Sequence, residues 1–210
     1  MEMILKKLQD AVYEGDEIES ENLAREALSG NIAPQVVVDE GLRPALARLG
    51  DEFEKGEIAL PELVFAGDAA VKVTKIIEKA LSAGEKLNIK GIFAIGTIQG
   101  DIHAIGKDLV SAMMRAAGFQ VIDLGVDVSL DEFMAVIDKV DAVGISSFIS
   151  LSISHVEETV KQLKNRNKNL KVIIGGAAVT PNLAEKWGVL FGIDAFSAAR
   201  IIDEALKNGG

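Results

Sequence analysis

The sequence predicts an all-α N-terminal four-helix bundle followed by an α/β doubly wound, five-stranded parallel sheet, and three observations carry that prediction. Up to about residue 86 the apolar positions recur at helical spacing, whereas from Leu87 onward short apolar runs alternate with helical stretches, five of each. The charge also shifts between the two parts: of the net −10, residues 1–86 hold −8, from 18 acidic and 10 basic side chains, and residues 87–210 hold −2, from 14 and 12. The expected domains are therefore 1–86 and 87–210, with the boundary near Gly84 to Lys86 and a linker over Ala83–Asn88.

The first helix is expected over Met1 to Glu14, with Ile4, Leu5, Leu8, Ala11 and Val12 on one face and Gly15 ending it. Asp16, with Glu19 three residues on, caps a second helix running to about Ser29, which Gly30-Asn31 breaks. A third starts at Pro34 and turns Val37, Val38, Leu42, Leu46 and Leu49 inward, with Gly41 and Pro44 as points of kinking. The fourth opens at Leu60-Pro61 and runs to Leu81, and its early turns carry Phe65 beside the small residues Ala66, Gly67, Ala69 and Ala70. Short links between four such helices imply an antiparallel bundle.

Strands are expected at Ile89–Ile98, Phe119–Leu124, Ala142–Ser147, Lys171–Ile174 and near Ala195–Phe196. Helices are expected at Ile105–Ala117, Ser129–Lys139, Ser152–Asn165, Pro181–Trp187 and Ala198–Lys207. Ser129 with Glu132 makes a capping box, and Thr180-Pro181 is a helix start. Strict alternation gives most simply a flavodoxin-like (Rossmann-type) strand order, whose switch point lies between the first and third strands. Ligands bind at such a point, at the carboxyl ends of the strands. The loops emerging there are Gln99-Gly100-Asp101-Ile102-His103-Ala104-Ile105-Gly106 and the stretch from Ser146 through Phe148 and Ser150 to Leu151, with Gly175-Gly176 beside them.

Composition narrows the chemistry. A chain of 210 residues at 49% hydrophobic content has enough apolar surface for two cores. No apolar run reaches the roughly 18 residues of a membrane span, and the N-terminus lacks a signal-peptide pattern, so no membrane association and a cytoplasmic location are expected. The negative charge and the want of any basic arm argue against a nucleic-acid partner. With no Cys and two His, a zinc site of nitrogen and sulfur ligands is hard to assemble, whereas a metal already held in a macrocycle needs one protein ligand. His103 suits that role, with Asp101 two positions away to hold its other ring nitrogen. Corrinoid cobalt and haem iron both satisfy the condition.

The set Asp101-x-His103-x-x-Gly106, then Ser146-x-Phe148, then Gly175-Gly176, resembles the cobalamin-binding module of methionine synthase and of the corrinoid proteins of methyltransferase systems. The stretches Phe53-Glu54-Lys55-Gly56-Glu57 and Leu60-Pro61-Glu62-Leu63 resemble the helical cap that precedes that module. The likeness runs along nearly the whole chain. It implies a cobalamin or related corrinoid bound base-off, with His103 as the lower ligand to cobalt, Asp101 orienting it and Ser146 closing a second hydrogen-bonding link. It further implies that the displaced nucleotide tail runs beside Gly175 and Gly176, where a side chain would block it. Two departures stand out: the third position of the serine motif is Phe148 where the family usually has leucine, and Ala104 stands where many relatives carry a second aspartate.

The resemblance implies a non-catalytic carrier subunit that relays a methyl group on cobalt from a substrate-specific methyltransferase to an acceptor methyltransferase, whose acceptor is tetrahydrofolate or a thiol. A reductive activase is implied as a further partner, and the helical cap would shield the upper face and move aside at the linker. A cobalamin-binding sensor or the cobalamin subunit of a mutase are the alternatives. A phosphoacceptor receiver domain shares the sheet order but wants acidic residues that this chain lacks at Ser146, and for a flavodoxin Thr97 alone is weak support. His155 reads as a partly exposed polar residue at a helix start, Trp187 as packed at the sheet edge, and the acidic clusters Glu14–Glu21 and Asp51–Glu57 as solvated faces.

Overall fold

The computed structural model describes residues 2–81 and 88–207. The expected boundary at Gly84 to Lys86, and all of the expected linker except Asn88, lie outside the described residues. The chain forms two compact units, one of helices and one built on a sheet.

The helical unit holds α1 (Glu2–Tyr13), α2 (Glu17–Ser29), α3 (Pro34–Val36), α4 (Arg43–Glu54) and α5 (Leu60–Ala80). Asp16 caps α2 as its spacing predicts, its carboxylate accepting from the Glu19 N–H at 2.9 Å. Leu8, Val12, Leu46, Ile77 and Val73 are fully buried between the helices. The third predicted helix is not continuous: between α3 and α4 the residues Val37–Leu42 form a π-helical segment. Pro44 is the cause, because it has no N–H to give the carbonyl of Glu40. That carbonyl accepts instead from the Gln9 side chain at 2.5 Å, and the Arg43 N–H reaches back to Val38. Gly41 sits at the same place because a Cβ there would lie 2.8 Å from Leu8 Cδ2.

The sheet unit holds β1 (Ile92–Ile98), α6 (Ile105–Ala116), β2 (Gln120–Val128), α7 (Leu130–Val136), β3 (Ala142–Ser146), α8 (Ile153–Arg166), β4 (Lys171–Gly175), α9 (Pro181–Trp187), β5 (Leu190–Gly192) and α10 (Ala195–Lys207). The strands are all parallel in the order β2-β1-β3-β4-β5, the order the alternation predicts. β1 is covered on both faces, Phe93 through Ile98 all being buried, which is why its sequence is a continuous apolar run rather than an alternating one. Ser129 and Glu132 form the reciprocal cap of α7, and the Thr180 hydroxyl caps α9. Trp187 packs against the core and donates its indole N–H to Glu157 at 3.0 Å.

Two further element predictions, both in the sheet unit, need correction. The fifth strand is Leu190–Gly192, and Ala195-Phe196 instead opens α10. Asp194 and Ser197 decide this, since the Ser197 N–H donates to the Asp194 carboxylate at 2.7 Å while the Asp194 N–H donates to the Ser197 hydroxyl at 3.0 Å, a helix-starting cap. β2 runs on to Val128 rather than stopping at Leu124, because it accommodates irregularities: β1 advances from Ile95 to Ile98 while β2 advances from Asp123 to Val128, two residues more.

Candidate functional site

β1 and β3 are neighbours, and their following helices depart from the point where the strand order reverses, so the loops Gln99–Ala104 and Ser147–Ile149 emerge side by side. Asp101, in the first loop, is 1% exposed and engages both of its carboxylate oxygens. Oδ1 accepts from the His103 main-chain N–H at 3.1 Å and meets the His103 ring Nδ1 at 2.7 Å. Oδ2 accepts from the main-chain N–H groups of Phe148 at 2.5 Å and Ile149 at 3.1 Å. Burial would push this carboxyl up, but the hydrogen bonds from Phe148, His103 and Ile149 outweigh it and hold it below the ordinary carboxylate range.

An ionised carboxylate only accepts, so the proton of the neutral ring lies on Nδ1 of His103 and Nε2 carries the free lone pair. The ring is half exposed, and the carbonyl of His103 is pinned by the Thr97 hydroxyl at 2.9 Å. Phe148 stacks on the imidazole, with centroids 4.3 Å apart and planes inclined by 30°.

Ile102 and Ile105 flank the histidine and project into solvent, while Ala104 accepts the Asp108 N–H that begins α6. Gln99 and Gly100 form the exposed turn after β1, and the Ser150 carbonyl accepts from Ile153 at the entry to α8. The Ser146 hydroxyl lies beside Gly106, 3.6 Å from where a Cβ would stand, and the second link of Asp101 runs through backbone N–H groups rather than through that hydroxyl. Gly175 and Gly176 stand at the end of β4, where a side chain is tight at the first and excluded by the fold itself at the second. A Cβ on Gly175 would lie 3.1 Å from the Gly192 carbonyl oxygen, and one on Gly176, at φ +107°, would lie 2.2 Å from that of Ser147. At Gly176 a side chain collides with the backbone before it meets any ligand.

Sequence reading missed three residues that build this edge, Lys107, Asp123 and Asp127, and gave a fourth, His155, no part in it. Lys107 is buried, and its ammonium bonds Asp108 and, at 2.8 Å, Asp123 of β2. Burial alone would lower its pKa, but the two carboxylates outweigh that and raise it. Asp123 also accepts the Gly125 N–H at 2.9 Å, Asp127 reaches the first loop from β2, and His155 meets the Gln99 carbonyl at 2.9 Å through Nδ1. A carbonyl only accepts, so Nδ1 of His155 is the donor. The local signal for His155 was its position in the first turn of α8; no local pattern announces the others.

No group of three or more His, Asp or Glu side chains gathers as a metal cluster among the described residues. One oriented imidazole with a bare nitrogen is a suitable donor for a metal that brings its other ligands in a macrocycle, so the residues present fit a corrinoid. No helix among the described residues is long and apolar enough to cross a membrane.

Comparison with known proteins agrees with this geometry. Residues 91–204 match one family model described as a B12 binding domain, and residues 4–78 match a second with the same description. The trimethylamine corrinoid protein of Methanosarcina barkeri is 34% identical, with 98% of each chain covered, and trimethylamine corrinoid protein 2 of Methanosarcina acetivorans is 33% identical over 99% of this chain and 98% of its own. A cobalamin-binding protein from Desulfitobacterium hafniense superposes with a TM-score of 0.67 at 27% identity, covering 96% of this chain and 98% of that one. The methanol:cobalamin methyltransferase complex of Methanosarcina barkeri shares the fold, with a TM-score of 0.85 at 23% identity over 98% of this chain and 80% of that one. With the Asp101–His103 pair at the switch point and B12 binding domain matches on both units, the chain belongs to the family of B12-binding corrinoid proteins.

Proposed function

We propose that this protein is a corrinoid methyl carrier, a subunit that holds cobalamin or a related corrinoid and presents it in turn to a substrate-specific methyltransferase and to an acceptor methyltransferase, with a reductive activase as third partner. The observation that carries this reading is the His103 imidazole, fixed through Nδ1 by a buried carboxylate and bare at Nε2. Family membership over both units supports it, as do whole-length relatives named as trimethylamine corrinoid proteins, which make a methylated amine the first donor class to test. In this reading residues 1–86 and 87–210 are separate domains.

When bound, a corrinoid supplies a cobalt centre that in its lowest oxidation state takes a methyl group from one partner's substrate and yields it to another's. The chain's own residues supply binding and lower-face control. His103 is the metal ligand in place of the cofactor's own base, donating from Nε2, while Asp101 holds the Nδ1 proton and so keeps the ring in the tautomer that ligates. Phe148 packs on one face of the ring and limits its rotation. The remaining cofactor-contacting residues are Gln99, Gly100, Ile102, Ala104, Ile105, Gly106, Ser146, Ser150, Gly175 and Gly176, which line the same sheet edge.

The test is reconstitution with cobalamin followed by electron paramagnetic resonance of the Co(II) form. The native chain is expected to take up one corrinoid and give a nitrogen superhyperfine pattern from a protein imidazole; His103→Ala is expected to keep its fold, bind more weakly and lose the pattern. A native spectrum with the cofactor's own base on cobalt sinks the lower-ligand assignment.

A further inference from the structure

Asp127 is a non-glycine residue with φ +55°, in the left-handed region that L side chains seldom adopt. It lies next to the end of β2, in the stretch where that strand carries its extra residues. Such conformations persist only where surrounding contacts over-determine them, and here the contacts all run to one place. The Gly100 N–H donates to Asp127 Oδ1 at 2.7 Å, and the Asp127 N–H donates to the Asp101 carbonyl at 2.9 Å. The side chain and backbone of one residue thus grip both ends of the Gly100–Asp101 dipeptide. That dipeptide leads directly into the carboxylate that orients His103.

We infer that Asp127 is a positioning residue for the lower ligand: its left-handed backbone and its carboxylate together set Asp101 so that Oδ1 meets His103 Nδ1. The inference rests on the corrinoid reading for its consequence, though not for its geometry. On the other side the Asp101 carboxylate accepts from Phe148 and Ile149, which come from the β3–α8 loop. Asp101 is therefore held from both neighbouring strands, and removing the Asp127 carboxylate frees Gly100, leaving the main-chain bond from Asp127 to the Asp101 carbonyl as the one hold from β2. The two extra residues in β2 have a purpose in this account. They carry the end of that strand far enough out for its residue 127 to reach back to the loop after β1.

The experiment uses the full chain and three variants. Asp127→Asn keeps an acceptor oxygen and a residue type that tolerates the left-handed region; Asp127→Gly keeps the backbone conformation without strain and loses the acceptor; Asp127→Ala loses both. Without cofactor, amide hydrogen exchange is read at Gly100 and at control amides in β3 and β4. The His103 ring tautomer is read by 15N chemical shifts of the two ring nitrogens. Asp127→Asn is expected to match the native chain. Asp127→Gly is expected to exchange Gly100 about tenfold faster with the controls unchanged, and to shift part of the His103 population from the Nδ1–H to the Nε2–H tautomer. Asp127→Ala is expected to do the same with a lower melting temperature. After cobalamin uptake, the Asp127→Gly nitrogen splitting should become heterogeneous.

The inference is overturned if Asp127→Gly leaves Gly100 exchange and the tautomer native, if Asp127→Asn behaves like Asp127→Gly, or if the controls accelerate as much as Gly100. A native chain that takes up no corrinoid defeats the functional reading instead, and the cofactor-free measurements still decide the role of Asp127.

Discussion

Both units carry exposed ion pairs, but among the described residues only the sheet unit also buries charged side chains. In the helical unit the ion pairs of the described residues lie at the surface, some one turn apart, such as Lys6–Asp10 at 3.1 Å with side chains 63% and 52% exposed, while Lys72 of α5 joins Glu17 of α2 at 2.8 Å with side chains 48% and 38% exposed. In the sheet unit a carboxylate and an ammonium are sunk into the carboxyl edge, Asp101 at 1% exposure and Lys107 at 4%, each with partners on another segment of chain. Exposed pairs in water contribute little and are easily exchanged, whereas a buried charge commits its neighbours to one geometry. The difference teaches where this chain fixes its shape: between helices by apolar packing, and at the site by polar groups that have no second arrangement.

The strongest way to break this contrast is a pair of glycine substitutions. Gly176→Leu places a side chain within 2.2 Å of the Ser147 carbonyl at φ +107°, and should cost about 3 kcal/mol or more, or prevent folding. Gly56→Ala in the helical unit, at φ +71° with open space around it, should cost about 1 kcal/mol. Thermal unfolding of both measures the gap, and equal losses would mean that the β4 end is no more constrained than a surface turn. Next in size, Asp101→Ala should cost about 3 kcal/mol in denaturant unfolding, because it strands the N–H groups of Phe148 and Ile149.

Lys107→Met should cost about 1 kcal/mol at neutral pH. Because the folded pKa of Lys107 is raised, its contribution is fully present below the ordinary lysine value and is lost as pH rises through the folded one. The gap between native and variant should therefore close in alkali; a gap that persists there would make the loss one of packing. Asp101 runs the other way, its contribution present above the ordinary carboxylate value and lost as pH falls through its lowered one. The smallest effect is expected for Lys6→Ala, within about 0.5 kcal/mol, and a larger one would erase the distinction between the units.

What the sequence disclosed follows from the range of the interactions involved. Asp101 and His103 are two residues apart, so their pairing is a local fact that spacing alone suggests. Asp16 with Glu19, Ser129 with Glu132 and the Thr180-Pro181 start are local in the same sense. Asp127 is not: its grip on Gly100 depends on irregularities that shift β2 against β1, and no periodicity reports a shift of register. The fifth strand was misplaced because Leu190–Gly192 is three residues long, too short to show a period, although Asp194 and Ser197 announce the helix after it. The π-helical stretch at Val37–Leu42 was legible only as a kink, since Pro44 says that a bond is lost and not which carbonyl takes its place.

The irregular course of β2 has one more consequence, for how the sheet meets other sheets. β2 and β5 are its two outer strands, and a long flat outer strand is a template on which another chain can add itself. β5 offers only three residues. β2 is nine residues long, but the extra residues spoil the regular rise of its outward N–H and C=O groups, and Asp123 and Asp127 add charge along it. The distortion that brings a carboxylate to the cofactor loop therefore also leaves this sheet a poor surface for fibrous self-association.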